Sequence, residues 1–202
     1  MRKPISRRAL LRDGMLITTG VAAGSLMPAV FRVVTSSAQA AACGAEANGE
    51  VEKRLQELGI ELPPPAKPVA VYVPAVLTGN TLYVSGHVAR RPDGTLLQGK
   101  VGQELTLQQG YEAARLTGVS VLSTVKNILG SLDNVVRLAK VLGVVNCTSD
   151  FTKQPQVING FSELMVEVLG EEAGKGARSA IGTGSLPMNV PVEIEAIFEV
   201  RR

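Results

Sequence analysis

The stretch Arg178–Val200, RSAIGTGSLPMNVPVEIEAIFEV, constrains the fold more than any other part of the chain. From Val190 onward, Val190, Val192, Ile194, Ala196, Phe198 and Val200 fall on one side of an extended backbone, and Pro191, Glu193, Glu195 and Glu199 fall on the other. A period of two sustained over that length is the pattern of a strand with one buried and one wet face. The stretch predicts two strands joined by a turn, with Arg178 opening the first and Glu193 near the start of the second. A guanidinium offers a planar fork of donors matched to a carboxylate, and a neighbouring glutamate can polarise a water. Such a pair suits the binding and hydrolysis of a small acid. On spacing alone, charges on the wet face of a strand serve equally well as ordinary solvated surface.

Residues 1–40 read as a segment outside the fold. Ser6-Arg7-Arg8-Ala9-Leu10-Leu11-Arg12 has the form of a twin-arginine export motif, followed by a moderately apolar stretch from Met15 to Val34 and a small-residue site at Ala38-Gln39-Ala40. A membrane anchor is the weaker reading, because Gly20, Gly24, Pro28 and Arg32 interrupt the apolar run. Export to the periplasm is the expectation. Ala40-Ala41-Ala42-Cys43 is an imperfect lipidation site that would instead tether the chain to a membrane through Cys43.

Removing that leader reverses the charge. It carries six of the 21 basic groups and one of the 18 acidic ones, which leaves 15 against 17, a net of −2. With no basic cluster beyond Arg90-Arg91 and Arg201-Arg202, the remaining chain lacks the positive face that nucleic-acid binders use, so no nucleic-acid partner is expected. Cys43 and Cys147 are too few for a disulfide framework, and with a single histidine no metal site is expected.

The rest divides into an arm, residues 41–67, and one domain, residues 68–202. The arm holds a short helix within Ala45–Ile60, patterned by Val51, Leu55, Leu58 and Ile60 and stopped by Gly59 and Pro63-Pro64-Pro65. A hairpin is expected from Val69–Val76 and Thr81–Val88, turning at Thr78-Gly79-Asn80, with Leu82, Val84 and Val88 on one face and Tyr83, Ser85 and His87 on the other. His87, the one imidazole, is expected as a polar group at the sheet surface or a subunit contact, with a catalytic base as the rival reading. Thr106-Leu107-Gln108-Gln109 predicts a capping box opening a long core-facing helix that Gly130 ends. Asn134–Val145 suits a buried strand or a helix. Asp150 or Thr152 would cap a second long helix bearing Pro155 near its start and Val157, Phe161, Leu164, Met165 and Val168 inward, and residues 171–176 form a loop.

Several of these residues carry a resemblance. Arg178-Ser179, Leu186-Pro187 and Val192-Glu193-Ile194-Glu195-Ala196-Ile197 resemble the C-terminal signature of the RidA (YjgF-like) family of reactive-intermediate deaminases. Tyr72, Gly79-Asn80 and Tyr83-Val84-Ser85-Gly86 resemble its first hairpin, and Val157-Ile158-Asn159-Gly160-Phe161 its second helix. The resemblance implies an α+β domain with a single mixed β-sheet and two long helices on one face, and it assigns Asn134–Val145 to a strand. It also implies a homotrimer with clefts between subunits, and hydrolysis of small 2-imino or enamine acids to 2-keto acids and ammonia with no cofactor. In that reading Arg178 grips the carboxylate and Glu193 holds the water, while Tyr72, Ser85, Gly86, Asn159 and the main chain at Ala180 complete the substrate site. Ala180 stands where relatives often carry Cys, Gly176 where Pro or Ala is frequent, and Pro74 and His87 where glutamines are frequent. A non-catalytic trimer that binds a small carboxylate is the second reading, and an endoribonuclease the third.

Overall fold

The C-terminal strand lies at the centre of the sheet. The computed structural model describes residues 49–65 and 70–201, so the leader motif, the apolar stretch after it and Cys43 lie outside the described residues. The elements run α1 (Glu50–Glu57), β1 (Ala75–Thr78), β2 (Thr81–Val88), α2 (Leu107–Leu129), β3 (Val135–Asn146), α3 (Gln154–Leu169), a short α4 (Glu171–Gly174), β4 (Ala177–Thr183) and β5 (Val192–Val200). The five strands form one sheet in the order β1-β2-β5-β3-β4. All neighbours are antiparallel except β3 and β4, which run parallel and are joined through α3. This is the expected mixed sheet with two long helices on one face, α2 over β2 and β5 and α3 over β3 and β4. The two strands of the Arg178–Val200 stretch do not pair with each other, because β3 lies between them.

Burial follows the alternation in β5: Val192, Ile194, Ala196, Phe198 and Val200 are buried, with Glu193, Glu195, Ile197 and Glu199 on the opposite face. Helix α2 opens with the capping box, Thr106 Oγ1 accepting from Gln109 N at 3.2 Å and Gln109 Oε1 accepting from Thr106 N at 2.9 Å. The β1–β2 turn places Gly79 at φ 61, a backbone state that a side chain resists. In the β4–β5 connection Met188 and Asn189 take positive φ, and buried Asn146 holds them by donating Nδ2 to Asn189 Oδ1 at 3.1 Å and to Val190 O at 3.2 Å.

Four local expectations are corrected. β1 is shorter and later than Val69–Val76: residues 70–74 are irregular, since Pro74 has no N–H to give a ladder, although its carbonyl accepts from Ser85 N at 3.0 Å. Helix α3 is entered at Lys153, with no side-chain cap from Asp150 or Thr152, and Pro155 sits in its first turn. Part of the predicted loop, Glu171–Gly174, is a single helical turn. In α1, Val51 and Leu55 are buried while Leu58 faces out. The arm is docked on the domain, with Asp133 Oδ1 accepting from Val51 N at 3.2 Å and Ser123 Oγ donating to Pro63 O at 2.5 Å.

Candidate functional site

Strand register decides which side each candidate residue faces. Arg178 pairs with Val141 of β3, and Val141 pairs with Ala196 of β5, so Arg178 belongs to the row covered by the helices. Its Nη1 donates to Asn159 Oδ1 at 2.9 Å and to Ser162 Oγ at 3.0 Å, both on α3. Two neutral acceptors hold one nitrogen of an exposed guanidinium, and among the described residues no carboxylate is ion-paired with it. The remaining donors form a preformed fork for an anion. Ala180, two residues on along the same edge strand, lies on the same face opposite Gly143. Arg178, Asn159 and Ala180 thus make one cluster. Ser162 belongs to it and was missed in the sequence; its signal is the three-residue spacing from Asn159, which puts both on one helix face.

Glu193 belongs to the other side. It pairs with Val144, three residues along β3 from Val141, and odd spacing reverses the face. Two strand widths and three residues separate the two Cα positions by about 14 Å, with the sheet itself between the side chains. In β2 the pairing to β5 slips between Val84 and His87, a bulge that spends Ser85 and Gly86 opposite a single step of β5. The Glu193 carboxylate lies on Gly86: a Cβ there would sit 2.1 Å from Glu193 Oε1. Ser85 Oγ donates to Val73 O at 2.8 Å, which ties the segment carrying Tyr72 to the same bulge. Tyr72 itself is 48% exposed. Burial raises the Glu193 carboxyl above the usual glutamate range, and the Glu195 charge adds to the effect. Ser85, Gly86 and Glu193 form the second cluster, with Tyr72 one residue before its tie to Val73.

The same bulge overturns the expectation for His87. Instead of sharing the face of Tyr83 and Ser85, the ring turns under α2, 8% exposed. Its Nδ1 lies 2.7 Å from Ser85 O, an acceptor only, so Nδ1 carries the proton and donates. Nε2 then accepts from Thr124 Oγ1 at 2.8 Å. Desolvation lowers the imidazole pKa, against the raising effect of the Ser85 carbonyl. His87 fixes the backbone beneath Glu193 and presents no free nitrogen to a substrate. Among the described residues no group of three or more His, Cys, Asp or Glu side chains could hold a metal, and Cys147 is a buried free thiol.

Two faces therefore carry two candidate clusters. The outer face also exposes Val76, Tyr83 and Ile181 at 49%, 49% and 50%, an apolar patch on that side of the sheet.

Comparison with known proteins agrees with this fold. The family described as "YjgF/chorismate_mutase-like, putative endoribonuclease" matches residues 52–198. Protein TCP17 of Trypanosoma cruzi is 41% identical over 154 residues, 76% of this chain and 96% of its own. Protein MMF1, mitochondrial, of Saccharomyces cerevisiae is 30% identical over 71% of this chain and 83% of its own. The crystal structure of Atu1372 from Agrobacterium tumefaciens superposes with a TM-score of 0.70 at 41% identity, covering 77% of this chain and 96% of that one. The crystal structure of a "putative endoribonuclease" from Shewanella oneidensis gives 0.71 at 30% identity, covering 74% of this chain and 99% of that one. A matched region of this extent, on the same single mixed sheet with its two covering helices, makes the chain a member of the YjgF/RidA-like family.

Proposed function

We propose that this protein hydrolyses 2-imino acids, and their enamine tautomers, to 2-keto acids and ammonia in clefts between the subunits of a homotrimer. The observation that carries this reading is the Arg178 guanidinium, pinned from one side by Asn159 and Ser162 with no acid paired to it among the described residues. That arrangement waits for a carboxylate. The second cluster, on the other face, supplies an acid of raised pKa over an open glycine backbone. A single subunit cannot bring the two together, whereas a neighbouring subunit laid against the apolar outer face can.

The chemistry needs little else. With the carboxylate held by Arg178, Glu193 accepts a proton from water as its oxygen attacks the imine carbon, and the C=N electron pair moves to nitrogen, which receives that proton from Glu193. The tetrahedral carbinolamine then collapses: Glu193 takes the hydroxyl proton and delivers it to nitrogen, the O–H electron pair forms C=O, the C–N bond breaks and ammonia leaves. A carboxyl poised above the usual glutamate range suits a group that first takes and then gives that proton. Positioning contributes the rest, because imine hydrolysis has an accessible uncatalysed route.

The test is keto-acid release from 2-iminopropanoate and 2-iminobutanoate, generated by an amino-acid oxidase, with the wild-type chain and Arg178→Ala. Loss of a charged bidentate contact is worth about 3 kcal/mol, or about a hundredfold in kcat/KM. Equal rates for both proteins, matching buffer, would refute the reaction. A Glu193→Gln protein that binds pyruvate normally and equals wild type in turnover would favour the carboxylate-binding trimer instead.

A further inference from the structure

A cavity of about 590 Å³ opens beside Arg178, between the C-terminal half of α3 and the start of β4. Leu138, Val141 and Val166 make its apolar floor, and Glu163 and Glu167 stand on its rim. Both acids are held in place from α2: Glu163 Oε2 accepts from Tyr111 Oη at 2.5 Å, and Glu167 Oε2 pairs with Arg115 Nη2 at 2.6 Å. Cavities of about 300–1,000 Å³ hold ligands well above three-carbon size. An acid gripped by Arg178 has this apolar trough directly next to it.

We infer that the side chain of the bound 2-imino acid lies in this groove, so that the preferred substrates carry an uncharged apolar side chain of leucine or methionine size. The inference rests on the carboxylate-binding role of Arg178 proposed above. Apolar side chains gain by displacing water from the floor formed by Leu138, Val141 and Val166. Acidic side chains meet the carboxylate of Glu163, and the lining's other cation, Lys175, is already paired with Glu171. Val166 is half-buried on the helix face toward the groove, which makes it the residue that sets the groove's depth.

The test uses the full chain. Turnover of imines generated by an amino-acid oxidase from leucine and from alanine is compared, alongside calorimetric binding of 4-methyl-2-oxopentanoate, pyruvate and 2-oxoglutarate. The expected result is a preference of about tenfold or more for the leucine-derived compounds in both readouts, with no binding of 2-oxoglutarate. Val166→Trp, which fills the groove, abolishes that preference, while Val166→Ala keeps it. Equal handling of leucine- and alanine-derived compounds by the wild type overturns the inference, as does a Val166→Trp protein that loses both equally or keeps the preference. If every imine is hydrolysed at the buffer rate, the reaction proposed above falls, and the keto-acid binding ratio alone decides the groove; binding of neither keto acid overturns the groove as well.

Discussion

Mixing two inactive proteins tests the shared site most directly. Arg178→Ala removes one cluster and leaves Tyr72, Ser85, Gly86 and Glu193 untouched; Glu193→Gln does the reverse, since the two sit on opposite faces of the sheet. Each alone should be inert. If the clefts are shared as proposed, each takes its guanidinium from one chain and its carboxylate from the next. With random assortment at equal amounts, a cleft has an even chance of an intact Arg178 and an independent even chance of an intact Glu193, so about a quarter of all clefts are whole. Co-expression of the two chains under different affinity tags and purification through both tags keeps only mixed trimers, each with one whole cleft in three, so keto-acid release should recover about a third of the wild-type rate per subunit. The double variant Arg178→Ala/Glu193→Gln, co-expressed with either single variant, should recover nothing. Mixed oligomers no more active than their inert parents would refute the division of the site between neighbouring chains.

Two further outcomes follow from the electrostatics. Because burial and the Glu195 charge both raise the Glu193 carboxyl, the acid limb of the kcat/KM profile should lie above the ordinary glutamate range, and Glu195→Gln should move it to lower pH without fully restoring the ordinary value, burial being unchanged. His87 is held neutral by desolvation, so on acidification the unfolded chain takes up a proton that the native ring refuses; stability is full above the ordinary imidazole pKa and lost as pH falls through the depressed one. Denaturant unfolding between neutral and mildly acidic pH should show that loss, and His87→Gln should flatten it; an unchanged slope would remove His87 as its source.

How much of this could be read beforehand depends on range. Local signals were legible: the alternation that buries one face of β5, the Thr106–Gln109 capping box, and the glycine at the β1–β2 turn all report interactions within a few residues. The face of Arg178 was not legible, because it depends on β3 lying between two strands that are successive in the sequence, which is a property of long-range register. His87 is the sharpest case. Strict alternation puts it with Tyr83 and Ser85, and one extra residue at the Ser85–Gly86 bulge turns it inward; nothing within the strand announces a bulge of that kind except the glycine, whose necessity becomes visible only once Glu193 is seen lying over it. The short β1 had a signal in Pro74, which cannot donate to a ladder.

β5, the last strand in sequence order among the described residues, is the middle strand of the sheet. During synthesis the β1–β2 hairpin and the β3–α3–β4 unit emerge first and have no hydrogen-bonded connection until β5 slides between them, so the nascent chain carries two sheet fragments with open edges. Loss of β5 therefore removes the keystone of the sheet and not a frayed end. Any chaperone demand concentrates in the interval before β5 joins the two fragments.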